Sequence, residues 1–459
     1  MKGPSSLFDG DALHDRAASS IDAKGESLVA LGYIEPFAKP QPEKFPSRRR
    51  PKATITAKDM AGTPKSSLID LVGRTLGRFY AEEGQNVGLK GEDYTKLRLT
   101  AETILKSAPF SSGLSNAFVE EKIFEWWTSR KRNQPVGTLS SFMLAAAEKA
   151  IKVHEIIIPI SCIEFEKAFQ YGDVLIAPMD RSLLQGSADH FANQNPAKAD
   201  AIRASFCELD EEMGHQTTVQ VTLIGEPEFA SKRAQAIAFE VTAVFRFMSP
   251  AAVSWNVPFP CFPSGCEHIR RITSLHIKDG HVSIISGSII DHGLFSWRVE
   301  FDDLDRYMKQ GFGGAAIFFE DKALSDFQER IRTSIIHYAN GVALQNVSDR
   351  LVYVMSALEH LFLRGSGELI QNNVAERIAF FTKRKSSERR ELVKNFKNAY
   401  QLRSNIVHHL ISVENEPVLT KFFENAYIAV HSAMVSMYKF RTRDEFLDAI
   451  DSVKFGGSS

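Results

Sequence analysis

The chain of 459 residues is 44% hydrophobic and 24% charged, and a net charge of −1 leaves no global field to draw it to nucleic acid or membrane. No apolar run approaches the ~20 residues that span a bilayer, and the opening residues lack the apolar core of a secretory signal. Four cysteines in so long a chain make no disulfide framework, and a reducing cytoplasm is the expected compartment.

Residues 1–65 read as a weakly structured leader, with apolar periodicity only around Leu28–Tyr33. The run SRRRPK (Ser47–Lys52) is a short basic cluster whose simplest reading is a solvated arm. Residues 66–153 carry a helical pattern. SSLIDLVGRTLGRFY sets Leu68, Leu71, Leu76 and Phe79 near one face, with Ser66 or Ser67 as N-cap. Further helices are expected around Leu97–Leu105, over Phe118–Arg132 and over Thr138–Lys152. Trp126 and Trp127 stand beside Arg130, Lys131 and Arg132, as base-stacking side chains would. Core anchors at a solvated helix end are the simpler account.

Residues 154–320 change texture, and 154–305 reads as an antiparallel sheet that senses a ligand or presents a substrate. EIIIPISCIEFEKAF, YGDVLIAPM, TTVQVTLIGEPEF and QAIAFEVTAVFRFM are β-branched runs that suit strands. SLHIKDGHVSIISGSII predicts a hairpin at Lys278–Gly280, and SWRVEFDDLD closes the region. Cys261, Cys266 and His268 lie as C-x4-C-x-H, with His276 and His281 nearby. No CxxC completes a zinc set, so buried thiols around a Pro-rich loop are the expected reading. QGFGGAAIFF (Gln310–Phe319) lacks the Lys-Ser/Thr of a phosphate loop and reads as a tight connection.

From 321 to 459 the helical period returns. Phe327, Ile331, Ile335 and Tyr338 mark one helix; Leu351, Val354, Met355, Leu358 and Leu361 mark the next. Ile378 and Phe381 lie on a third helix, and Leu392, Phe396, Ala399 and Leu402 line a fourth. Pro417–Phe440 and Asp444–Ile450 complete an expected helical bundle. The expected fold class is therefore α+β: a helical N-terminal segment, a central antiparallel β-rich domain and a C-terminal bundle.

The run YQLRSNIVHH (Tyr400–His409) carries the chemistry. Arg403 falls inside an apolar stripe of Ala399, Leu402, Ile406 and Leu410, where a guanidinium needs a carboxylate, a phosphate or a subunit interface to receive it. His408 and His409 follow, imidazoles whose charge changes near neutral pH; a fixed cation beside such a group can serve phosphodiester chemistry, although two ordinary helix histidines and an Arg bonded to a core Glu fit the residues equally. Glu359 and Glu376 are the expected partners of that Arg. Just upstream, Lys383, Arg384, Lys385, Arg389, Arg390, Lys394 and Lys397 face only Glu388 and Glu391. Such a band would collect an RNA backbone without reading sequence; a solvated helix face is the alternative reading.

SDRLVYVMSALEHLFL (Ser348–Leu363), VAERIAFFT (Val374–Thr382), the charged spacer Lys383–Phe396 and AYQLRSNIVHH (Ala399–His409) together resemble an Apea-like member of the HEPN superfamily. The resemblance covers about the last quarter of the chain. It implies a HEPN-type bundle that homodimerises and a metal-independent endoribonuclease needing no cofactor, of the kind that serves as toxin or antiviral effector. Arg403 matches the family's Arg and His408 its His. Ser404 stands in the polar slot, where Asn, Asp or His is commoner. The implied products are a 2′,3′-cyclic phosphate and a 5′-OH. Arg403 would hold the scissile phosphate and His408 would move the proton, with His409, Ser404 and Asn405 as auxiliary candidates. The alternative is a non-catalytic HEPN module for nucleotide binding or dimerisation. In a regular helix positions 403 and 408 lie ~140° apart, and 403 and 409 ~120°. Convergence therefore requires a helix break or a cleft shared by two subunits.

Overall fold

The computed structural model describes residues 8–9, 12–36, 66–69, 75–82, 85–266, 271–278, 281–288, 296–365, 367–409 and 416–456; of these, 35–36, 66, 69, 271–278, 281–288, 405–409 and 416 are described as backbone alone. The fold is α+β, as expected. The chain divides into two compact units, Met1–His154 with Thr222–Arg233, and Glu155–Val221 with Ala234–Ser459.

In the first unit, α1 (Asp15–Val29) buries Ile21, Gly25 and Leu28, one helical face. Next come β1 (Tyr33–Pro36), β2 (Ser66–Ile69), β3 (Thr75–Glu82) and β4 (Gln85–Lys90), an antiparallel sheet ordered β1-β4-β3-β2. Helices α2 (Glu92–Leu105), α3 (Asn116–Lys131) and α4 (Leu139–Ala150) pack with α1 around a common core. Two expectations are corrected here. The leader contains α1 and β1, and the described parts of SSLIDLVGRTLGRFY, Ser66–Ile69 and Thr75–Tyr80, are strand rather than helix. Gly73 and Gly77 each cost a helix about 1 kcal/mol. Pairing across the sheet also favours glycine: a Cβ at Gly88 would collide with the Arg78 carbonyl on β3. The basic cluster Ser47–Lys52 lies outside the described residues. Trp126 and Trp127 are fully buried, donating to the carbonyls of Gly137 at 3.0 Å and Leu28 at 2.9 Å, and so are core anchors.

The following elements are β5 (Lys152–Ile160), β6 (Ile163–Phe165), β7 (Phe169–Tyr171), β8 (Val174–Pro178), α5 (Arg181–Gln194), α6 (Ala199–Met213), β9 (Thr217–Gly225) and α7 (Pro227–Met248). A sheet ordered β5-β9-β8-β7 carries the helical hairpin α5–α6 between its neighbouring strands β8 and β9. The expected strand QAIAFEVTAVFRFM is the body of α7. Its buried residues Ala230, Ala234, Ala238, Val241, Phe245 and Met248 recur at helical spacing. The Glu226 carboxylate accepts from the Glu228 and Phe229 amides (2.9 and 3.1 Å), and Pro227 occupies the first helical position. Both signals outweigh the β-branched composition. β10 (Arg271–Lys278) and β11 (His281–Ser288) form the expected hairpin, with Lys278 opposite His281. β12 (Trp297–Val299) pairs with β6 in parallel, so this region is not wholly antiparallel.

After α8 (Phe301–Lys309), the segment Phe312–Phe319 winds as a 3-10 helix. It starts from Gly311 at φ +118°, where a Cβ would also press on Val435 at 2.6 Å. The helices that follow are α9 (Asp326–Val342), α10 (Val347–Phe362), α11 (Ile370–Thr382), α12 (Ser386–His409), α13 (Glu416–Val435) and α14 (Arg443–Lys454). Ser325 and Gln328 form a capping box that starts α9, and Asn346 caps α10. The apolar positions read from the sequence are the buried ones: Phe327, Ile331, Ile335 and Tyr338 on α9, Leu351 through Leu361 on α10 and Ile378 on α11.

Candidate functional site

Helix α12 carries the candidate residues in its C-terminal half. Its first turns are rich in Glu, Arg, Leu and Lys, good helix formers. Leu392, Phe396 and Ala399 are buried, and the Asn395 amide donates to the Val418 carbonyl at 3.0 Å, fixing α12 on the chain entering α13. One turn beyond Ala399, Leu402, Arg403 and Ser404 are half-buried. Here the bundle opens into a cleft of about 420 Å³. It is lined by Glu359 from α10, Ile370 and Gln371 from α11, and Tyr400, Gln401, Arg403 and Ser404 from α12.

Within this cleft Tyr400 donates to Glu359 Oε1 at 2.7 Å. Burial, followed by the Glu359 charge and hydrogen bond, holds the Tyr400 phenol far above its usual range, with the Arg403 charge acting the other way. Gln371 donates to the Lys397 carbonyl at 3.2 Å, tying the start of α11 to α12. Arg403 makes no hydrogen bond or ion pair among the described residues, and its Nε is buried without a partner. The expected carboxylates are occupied elsewhere. Glu376 pairs with Lys454, and Glu359 serves Tyr400.

Other buried guanidinia show how unusual that is. Arg377 binds Glu368 through both Nη atoms (2.8 and 2.9 Å), Asp451 (3.3 Å) and the Phe362 carbonyl. Arg246 and Arg350 donate to backbone carbonyls, and burial lowers both to about 10. Arg332, Arg350 and Arg443 also leave Nε without a hydrogen bond, yet each is engaged through Nη. Arg403 alone among these arginines holds its charge uncommitted beside a water-accessible opening, which is what an anion-binding side chain requires.

The basic band divides. Arg384, Lys385, Arg390, Lys394 and Lys397 are exposed, whereas Lys383 and Arg389 are half-buried. Arg389 donates to the Lys383 carbonyl at 2.9 Å and lies 4.3 Å over the Phe380 ring, closing the α11–α12 junction. Lys385 approaches Glu388 at 3.8 Å, and Arg390 bonds Ser386 at 3.4 Å. Lys394 and Lys397 have no ion pair among the described residues. Positions 390, 394, 397, 401 and 404 recur at helical spacing, so the exposed cations lie on the stripe that runs down to Gln401 and Ser404 at the cleft.

The backbone of α12 is helical from Ser386 to His409 without interruption. No helix break separates 403 from 408. The side chains of Asn405, His408 and His409 lie outside the described residues, as do 410–415 and His268. Cys261 is buried and its carbonyl accepts from Arg246, while Cys266 is exposed. Among the described residues no group of three or more His, Cys, Asp or Glu could hold a metal, and no helix is long and apolar enough to cross a membrane. Sequence reasoning missed the parts played by Tyr400, Ile370 and Gln371, which depend on packing across three helices rather than on any spacing. No family model, no curated protein and no solved structure matches the chain.

Proposed function

We propose that the protein is a cytoplasmic, metal-independent endoribonuclease of the HEPN type that works as a homodimer, a toxin or antiviral effector in which each cleft draws on two copies of α12. The observation that carries this reading is the Arg403 guanidinium, half-buried in a cleft and without a counter-charge paired to it among the described residues. A scissile phosphate would supply that charge. Its planar fork would then steady the extra negative charge of the pentavalent transition state. His408 acts as general base toward the ribose 2′-OH or as general acid toward the leaving 5′-oxygen. Ser404 lines the same cleft and offers a hydroxyl to the phosphate. The stripe of Arg390, Lys394 and Lys397 collects the backbone.

The test is incubation of purified protein with labelled RNA and DNA in EDTA, alongside Arg403→Ala and His408→Ala. RNA cut to 2′,3′-cyclic phosphate ends by the wild type alone, with DNA untouched, is the expected result. Intact RNA under every condition, with the dimer preserved, would leave the second reading, a non-catalytic nucleotide-binding or dimerisation module. The unbroken α12 is the observation that favours this alternative, since positions 403 and 408 of one chain are on different sides of the helix.

A further inference from the structure

We propose that the cleft beside Arg403 is a guanine-nucleotide subsite, in which Glu359 and Gln371 receive the base edge and Arg403 the phosphate. The inference rests on the ribonuclease reading for its place in a reaction, but its binding chemistry stands on the cleft alone.

Glu359 and Arg403 line one opening, yet they form no ion pair with each other. Opposite charges kept apart in a common cleft suit a ligand that carries both an anion and a patch of N–H donors. Glu359 spends Oε1 on Tyr400 at 2.7 Å, and Oε2 has no partner among the described residues. A carboxylate has about four lone-pair directions, so the pair with Tyr400 leaves acceptor capacity while fixing the group in place. Gln371 spends its amide nitrogen on the Lys397 carbonyl, leaving the side-chain oxygen as a second acceptor. Ile370 is 39% exposed and supplies an apolar surface for a base to lie on. The cleft, about 420 Å³, falls within the range of small-ligand sites, roughly 300–1,000 Å³.

Among the bases, guanine alone sets two adjacent donors, N1–H and N2–H₂, on its pairing edge. Adenine and cytosine place a ring acceptor beside their amine, and that lone pair would meet the carboxylate. Uracil flanks its single N–H with two carbonyls. Two acceptors in one cleft therefore select guanine.

The experiment is calorimetric titration of the full chain with 3′-GMP, 3′-IMP and 3′-AMP. The expected result is that 3′-GMP binds ~10–100-fold more tightly than 3′-AMP. 3′-IMP, which lacks the N2 amine, should fall between them. Glu359→Gln should erase the difference between GMP and AMP, whereas Arg403→Ala should weaken all three alike. Equal affinities for GMP and AMP in the wild type, no binding of any nucleotide, or an unchanged ratio in Glu359→Gln would each overturn the subsite. The inosine comparison needs no substitution, so it decides the matter even where a variant folds poorly. Cleavage reports separately. RNA cut without guanine-selective binding removes the subsite and keeps the nuclease, and guanine-selective binding without cleavage does the reverse.

Discussion

A buried guanidinium is expensive unless its partners repay the lost hydration, so each such arginine shows whether it serves the fold or something outside it. Arg377, 6% exposed, ties the end of α10, the loop at Glu368 and α14 together through charged hydrogen bonds. Arg377→Ala removes the paired bonds to Glu368 and leaves Asp451 with Arg364 alone, and urea denaturation should record a loss of about 2–3 kcal/mol. Arg403 has no such partner to strand. Arg403→Leu should leave the urea midpoint unchanged or raise it, while turnover of labelled RNA falls about 100- to 1,000-fold. A midpoint that falls as far as that of Arg377→Ala would mean that Arg403 is a structural residue.

At the scale of the element, α12 combines a core face with an exposed cationic stripe, and the two make separable predictions. Lys394→Ala and Lys397→Ala remove exposed charges without ion pairs among the described residues. Each should flatten the dependence of log affinity for single-stranded RNA on log salt by about 0.7, with little change in thermal stability. The α9–α10 pair carries a different sensitivity. His360 is lowered to about 4, by burial first and then by the charges of Arg330, His337 and Arg443, with Asp326 opposing. Its rings and those of His337 are 6.2 Å apart. An unfolded histidine titrates near 6.5, so between about 6.5 and 4 the unfolded chain binds the additional proton. The stability this neutral imidazole contributes is complete above about 6.5 and is lost as pH falls toward 4; chemical denaturation across that window should show a smaller acid loss in His360→Gln. Periodicity made α9 to α12 readable from the sequence, because each buries one stripe against its neighbours. QAIAFEVTAVFRFM reads as a strand because Ile237, Val241, Thr242 and Val244 together with Phe239, Phe245 and Phe247 make up half of it, although the alanine spacing and the Glu226–Pro227 start favour the helix. Arg403 stood out as a cation in an apolar stripe. The Tyr400–Glu359 clamp did not, since it joins residues on α12 and α10 that only the packing of the bundle brings together.

For the molecule as a whole, the continuity of α12 bears on where the proposed cleavage would occur. Positions 403 and 408 lie ~140° apart on one unbroken helix, so the two positions of a single chain fall on different sides of its backbone. A two-fold axis beside α12 would place Arg403 of one copy near His408 of the other, giving two equivalent clefts per dimer. This arrangement predicts complementation between inactive variants. In a dimer of Arg403→Ala with His408→Ala, one cleft inherits both substitutions and the other inherits neither. Equimolar mixing yields about half heterodimers, each with one intact cleft of two, so RNA cleavage should recover to about a quarter of wild type. If arginine and histidine acted within one chain, every chain in the mixture would carry a defect and nothing would recover. If each cleft needed both motifs complete, the heterodimer would be equally silent. Recovery to about a quarter, and its disappearance when the dimers are prevented from exchanging, would locate the reaction between two copies of α12.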